Sequence, residues 1–260
     1  MLHFEKKGNG KETLVLLHGF MENISIWNDM EPHLSENFTL LKIDLPGHGQ
    51  SDIIAEVQTM ELVAEEVKKV LDSENLKKVH LLGHSMGGYI SLGFAEKYPE
   101  YLKSLTLFFS TYLPDDVEKK AQRIKSYRII KDAFAHYARA GIPNLFNPNE
   151  KDILEGKIEI ALKTALSTNN LGALASVKGM VERTDKKHVL ENLEAKILVI
   201  AGKHDNAVKT EIMIKHLPDR TNIKSYVLDC GHNGHWEKPS ICAEIINTEL
   251  LHNLPKNLVF

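Results

Sequence analysis

Short apolar runs alternate with amphipathic stretches over most of this chain. The runs Thr13–Leu17, Thr39–Ile43, Lys78–Leu82, Ser104–Phe109, Ile197–Ile200 and Ile223–Leu228 are rich in Leu, Ile and Val, and most are followed within two residues by Gly or Asp. Runs of that length and composition predict strands. Between them, Met60–Leu71 places Val63, Val67, Val70 and Leu71 at i, i+4, i+7 and i+8, one buried stripe of a helix. Strands alternating with helices predict a mostly parallel, twisted sheet with helices on both faces, an α/β fold. The alternation stops after Phe109. From Thr111 to Ala195 no strand pattern is evident; the segment reads as helices broken at Gly141-Ile142-Pro143 and Asn147-Pro148-Asn149, with Tyr127, Ile130, Phe134 and Tyr137 at helical spacing. The expected organisation is an α/β core formed by residues 1–110 and 196–260, with 111–195 inserted as a helical cap.

Composition narrows the function classes. A chain of 260 residues suits one α/β domain carrying an insertion better than two independent domains. A net charge of −3, spread along the chain, leaves no electrostatic footprint for nucleic acid. No apolar stretch approaches the roughly 18 residues of a membrane span, and Met1–Lys7 does not resemble a secretion signal, so a cytoplasmic location is expected. Cys230 and Cys242 are then expected to be reduced, and neither has metal-ligand spacing with a second cysteine.

The chemistry concentrates in Gly83-His84-Ser85-Met86-Gly87-Gly88, which follows a predicted strand and precedes a helical pattern. A serine there sits on a turn so tight that the residues two before and two after it approach neighbouring backbone, which glycine tolerates. A serine nucleophile needs a base and an acid that orients it. Asp205 falls just beyond the run ending at Ile200, and His232 just beyond the run ending at Leu228, at strand carboxyl ends where open α/β sheets keep their sites. Each has a competing reading. Asp205 could instead cap the helix beginning near Lys209, and His235, three residues on, competes with His232, whose position relative to Glu237 and Pro239 favours it. His235 is otherwise expected to be a loop residue. The pair lacks a supporting carboxylate or cysteine, so no metal is expected, and no cofactor is implied. His18, His48 and His84 are expected to serve turn geometry and hydrogen bonding.

Four motifs in order carry a resemblance to the α/β-hydrolase fold family, serine-nucleophile branch: His18-Gly19-Phe20, Asp44-Leu45-Pro46-Gly47-His48-Gly49-Gln50-Ser51, Gly83–Gly88, and Gly231-His232 followed by Glu237-Lys238-Pro239. The order Ser85, Asp205, His232 matches the family's nucleophile, acid and base. The resemblance implies an oxyanion hole built from the backbone N–H groups of Phe20 and Met86. The cap and Arg183-Thr184-Asp185 are similar to small esterases, 3-oxoadipate enol-lactonases and cofactor-free haloperoxidases, implying hydrolysis of a small or medium ester or lactone through an acyl-enzyme. The His-Gly-Phe and Asp-Leu-Pro-Gly-His-Gly segments also resemble a menaquinone-pathway synthase, a lyase of this fold that carries Arg directly after the elbow's Gly-Gly, where Tyr89 stands here. A perhydrolase side activity would use the same residues. A slow-turnover ligand receptor is the alternative from another class.

The aromatics Trp27, Phe134, Tyr137 and Phe146 are candidates for lining a pocket, against the plainer reading that they are core. Lys119, Lys120, Arg123, Lys125, Arg128 and Lys131 could recognise an acidic substrate, but Asp115, Asp116, Glu118 and Asp132 interleave with them, and a solvated helix face is expected.

Overall fold

The computed structural model describes residues 1–251; the remainder of the expected core segment, 252–260, lies outside the described residues. Seven strands, β1 (Phe4–Lys7), β2 (Glu12–Leu17), β3 (Phe38–Ile43), β4 (Val79–His84), β5 (Leu102–Phe108), β6 (Lys196–Gly202) and β7 (Ile223–Leu228), form one sheet in the order β1-β3-β2-β4-β5-β6-β7. From β3 to β7 every pairing is parallel. Only β1 runs antiparallel, against β3. The apolar runs predicted six of these strands to within about two residues at each end. β1 escaped the reading because Phe4-Glu5-Lys6-Lys7 is a charged edge strand, three of its four residues exposed, and carries no apolar pattern.

The period of two along each strand sends alternate side chains to opposite faces. Val15, Leu17, Leu81, Leu105, Leu107, Ile197 and Val199 join one core, while Leu14, Leu16, Leu40, Leu82, Phe108, Leu198 and Ile200 join the other. The helices are α1 (Glu31–Leu34), α2 (Met60–Ser73), α3 (Met86–Lys97), α4 (Val117–Asp132), α5 (Phe134–Gly141), α6 (Glu155–Ser167), α7 (Asn170–Val181), α8 (Lys187–Asn192), α9 (Thr210–Lys215), α10 (Gly234–Glu237) and α11 (Pro239–Leu250). Helices α2 and α3 cover the first face with Val63, Val67, Ile90 and Phe94, and α11 covers the second with Ile245 and Ile246. The Thr59 hydroxyl caps α2 by accepting from Leu62 N–H at 3.2 Å.

Between β5 and β6 the described residues hold only helices and turns. The continuous spacing of Tyr127, Ile130, Phe134 and Tyr137 does not form one helix: the chain breaks at Ala133 (φ −145°, ψ 46°), which ends α4 and starts α5. No Gly or Pro marks that break. At the far end of the insertion, Val189 and Leu190 of α8 and the following Leu193 pack back into the core beside α3.

Candidate active site

The four loops that matter leave the carboxyl ends of β2, β4, β6 and β7. Ser85 stands between β4 and α3 with φ 49° and ψ −113°, a conformation that costs a non-glycine residue on the order of 1–3 kcal/mol and persists only where surroundings enforce it. The surroundings do so. Ser85 N–H donates to Phe108 C=O at 3.1 Å, and the Ser110 hydroxyl donates to Ser85 C=O at 2.7 Å. A Cβ on Gly83 would lie 2.2 Å from Gly87 O, and one on Gly87 would lie 2.4 Å from Leu17 O, so the turn closes only with glycine at both places.

The loop after β2 is fixed from several sides. The Asp44 carboxylate, 1% exposed, accepts from Ile24 N–H at 2.9 Å and Gln50 N–H at 3.0 Å. His18 Nε2 accepts from Leu45 N–H, and His48 Nε2 from Met21 N–H, so both histidines tie the β2 and β3 loops together. With those tautomers, His18 Nδ1 donates to Gly19 C=O at 2.7 Å and His48 Nδ1 to Pro46 C=O at 3.1 Å. Burial, reinforced by the neighbouring histidines, pushes His18 down to about 3. Phe20 follows on this loop and lines the cavity beside Ser85. Met86 opens α3, and the first N–H groups of a helix have no intrahelical partner.

Glu22 was not among the residues the sequence singled out, yet it joins three loops. Its Oε2 accepts from Gly19 N–H at 2.6 Å and lies 2.8 Å from His84 Nδ1, while His84 Nε2 lies 3.1 Å from His232 C=O. A carbonyl only accepts, so Nε2 carries a hydrogen and a further proton lies between Nδ1 and Glu22. Burial opposes the charge on Glu22, but the His84 ring and the Gly19 N–H outweigh it and hold the carboxyl below its ordinary range. Nothing in the spacing of Glu22 and His84 signals this pair.

His232 is 3% exposed, and its Nδ1 lies 2.7 Å from Asp205 Oδ2. The other Asp205 oxygen accepts from Ala207 N–H at 2.7 Å and Val208 N–H at 2.9 Å. Asp205 does not cap the helix near Lys209, the competing reading: α9 has Lys209 ahead of its first turn and no side-chain cap, and the second Asp205 oxygen closes the turn before it while the first faces His232. Burial works against the imidazolium of His232; the charge and hydrogen bond of Asp205, with Glu22, more than offset it and raise the ring above its ordinary value. The Glu237 carboxylate holds the loop, accepting from Gly231 and Asn233 N–H on either side of His232 and from Asn147 N–H across the interface with the insertion. His235 is not a loop residue. It lies in α10, fully buried against His84 and Trp236, with ring centroids 4.6 and 4.3 Å away, and neither ring nitrogen has a hydrogen-bond partner among the described residues.

Ser85 and His232 open into one cavity of about 330 Å³, whose walls include Phe20, Glu22, Tyr89, Lys119, Arg123, Tyr137, Leu145, Met180 and Ala207. Of the four aromatic candidates only Tyr137 lines it. Trp27 is fully buried between Phe108 and His235, Phe146 is fully buried and stacked on Trp236, and half-buried Phe134 packs among core residues, so all three belong to packing. The expectation of a solvated face fails for Lys119 and Arg123, since both help wall the cavity. Tyr89, directly after Gly87-Gly88, carries the Arg183 guanidinium 3.9 Å above its ring. Cys230 and Cys242 are free and buried, with burial raising both thiols. Among the described residues no group of three or more His, Cys, Asp or Glu is placed to hold a metal, and no helix is long and apolar enough to cross a membrane.

Comparison with known proteins agrees with this architecture. A sequence model of the alpha/beta hydrolase fold matches residues 12–120. A thermophilic esterase from Thermogutta terrifontis is 30% identical and superposes with a TM-score of 0.89, over 96% of this chain and 92% of that one. The enol-lactonase from Burkholderia xenovorans LB400 superposes at 0.87 with 20% identity, over 96% of both chains, which shows the fold alone. A 2-hydroxy-6-oxononadienedioate/2-hydroxy-6-oxononatrienedioate hydrolase from Pseudomonas putida is 26% identical over 96% of this chain and 92% of its own.

Proposed function

Since the chain belongs to the α/β-hydrolase fold family, we propose that it is a serine hydrolase cleaving a small or medium carboxylic ester or lactone through an acyl-enzyme, with residues 111–195 acting as the cap that closes the pocket. One observation carries the reading: Ser85, in its enforced left-handed turn, shares a cavity with His232, whose far ring nitrogen is held by Asp205 at 2.7 Å. In this reading the Ser85 hydroxyl attacks the substrate carbonyl while His232 Nε2 takes its proton. Asp205 keeps the Nδ1 hydrogen in place and stabilises the imidazolium. The carbonyl oxygen, now bearing the charge, accepts from the backbone N–H groups of Phe20 and Met86, donors worth about 3 kcal/mol each in such sites. The intermediate collapses, the leaving alkoxide receives the proton from His232, and a water repeats the attack on the acyl-enzyme with His232 again as base. A cavity of about 330 Å³ suits a small acyl group.

A fluorophosphonate probe is expected to label Ser85, with Ser85→Ala abolishing labelling at unchanged thermal unfolding. An adduct mapped by tandem mass spectrometry to any other serine overturns the assignment. The name of the Pseudomonas relative makes 2-hydroxy-6-oxononadienedioate the carbon–carbon substrate to set beside esters and lactones in the activity panel.

A further inference from the structure

The cavity wall facing Ser85 from the insertion carries more positive charge than its carboxylates neutralise. Arg123 and Arg183 share one acid, Asp115: Arg123 Nε donates to Oδ2 at 2.5 Å and Arg183 Nη2 to Oδ1 at 2.6 Å, so both carboxylate oxygens are engaged. Arg183 spends Nη1 on Leu113 C=O and stands 3.9 Å from the Tyr89 ring centroid, with Nε buried and without a hydrogen-bond partner among the described residues. Arg123 differs. Its Nη1 points at the Met180 thioether at 3.4 Å, a weak acceptor in the cavity wall, which leaves most of its donor edge unspent. Beside it, Lys119 has no carboxylate within 4 Å of its ammonium among the described residues. Its place in the first turn of α4 sets it against the positive end of the helix dipole, which costs stability unless an anion compensates. The other acids near it are occupied: Glu22 by His84, Asp205 by His232 and the turn N–H groups, and Asp116 by Lys209. Glu118 is exposed.

We propose that Lys119 and the free edge of Arg123 form an anion subsite, which binds a carboxylate carried by the substrate while Ser85 attacks its ester carbonyl; this rests on the hydrolase reading above. The position of Lys119 supports it. Lys119 and Tyr89 also wall a second cavity of about 560 Å³, so the ammonium stands at the junction of two chambers, where it can hold the charged end of an extended acyl group. Burial and the charge of Arg123 hold the Lys119 ammonium below its ordinary range, a cost that a bound carboxylate reverses. The wall is built to take an anion, and a neutral acyl chain leaves the Lys119 ammonium without a carboxylate and the outer edge of Arg123 unspent.

The test compares 4-nitrophenyl hydrogen adipate with methyl 4-nitrophenyl adipate, which share one six-carbon diacyl chain and differ by a charge and a methyl group. The wild-type protein is expected to favour the acid by about tenfold or more in kcat/KM, as a charge-assisted hydrogen bond provides. Lys119→Met should bring the ratio to within about threefold of unity, Lys119→Arg should retain most of the preference, and Lys125→Met on the exposed face of α4 should keep all of it. Equal turnover of the two esters, or a preference that survives in Lys119→Met, overturns the subsite and leaves the hydrolase reading standing. If neither ester turns over and Ser85 resists the fluorophosphonate, the hydrolase reading falls. Calorimetric titration with adipate then decides the subsite alone: binding about tenfold or more tighter to wild type than to Lys119→Met upholds it, and equal or absent binding ends it.

Discussion

His232 sits where burial and charge pull in opposite directions, and the balance has a measurable sign. Its Asp205 and Glu22 neighbours win, so the folded ring titrates above the ordinary 6.5. Only the neutral ring can take a proton from Ser85. The rate of acylation should therefore rise with pH through an apparent value above 6.5, and a pre-steady-state profile already level at pH 6 would count against this base. The divided use of Asp205 sharpens a second expectation. An Asp205→Asn side chain can still accept from Ala207 and Val208 N–H through its oxygen, but it then turns an NH2 toward His232 Nδ1 and imposes the wrong tautomer. Folding should survive while kcat falls by a factor on the order of 10⁴, measured alongside unfolding midpoints. Asp205→Ala should lose stability as well, because the turn then has two N–H groups with no acceptor.

At the scale of elements, the strand-to-helix turn at Ser85 is defined by backbone that cannot give way. Gly83→Ala would drive a methyl group to 2.2 Å from Gly87 O, and the obstructing atom belongs to the first turn of α3. A loss of about 3 kcal/mol or more in urea unfolding is expected. Gly93→Ala on the same helix makes the contrast: its added Cβ meets nothing nearer than Met60 O at 3.5 Å, and a gain of about 0.5–1 kcal/mol is expected from helix propensity. The same elements show which features a sequence can disclose. Strands buried on both faces announce themselves as apolar runs, and the loops at their ends then locate Ser85, Asp205 and His232 without further information. Side-chain direction outside the strands is not disclosed in that way. Trp27 and Phe146 have the composition of pocket residues and are fully buried packing, whereas Lys119 and Arg123 have the composition of a solvated face and wall the cavity. The break between α4 and α5 at Ala133 is likewise unmarked by Gly or Pro. Glu22 was invisible for a related reason, since its partner His84 is 62 residues away and meets it only after the sheet forms.

Across the whole molecule, the histidines gathered around the site make stability depend on pH in a predictable direction. Burial holds His18 down to about 3, lowers His48, and lowers His235 well below the ordinary value. In the unfolded chain each returns to about 6.5, so between those values the unfolded state binds protons that the folded state refuses. Stability should thus be nearly constant with respect to these three near pH 7 and fall as pH drops below about 6.5, each contributing up to about 1.4 kcal/mol per pH unit. His232 acts with the opposite sign. Its folded value is raised, so its contribution is fully present below about 6.5 and is lost as pH climbs through the folded value, which places the most stable pH close to neutrality. Among the three depressed rings His235 is the one held by packing alone: it sits fully buried among Trp27, His84 and Trp236, neither ring nitrogen has a hydrogen-bond partner among the described residues, and its nearest carboxylate, Glu22 Oε1, stands 3.8 Å from Nε2. Replacing it with an apolar side chain removes a proton site and a desolvated polar ring together. His235→Leu should match or exceed wild-type stability at pH 5 and flatten the slope between pH 6.5 and 5 by up to about 1.4 kcal/mol per unit, read from urea midpoints at constant m. A slope unchanged from wild type would mean that the buried ring accepts a proton in the folded state, and that the low-pH loss of stability arises elsewhere.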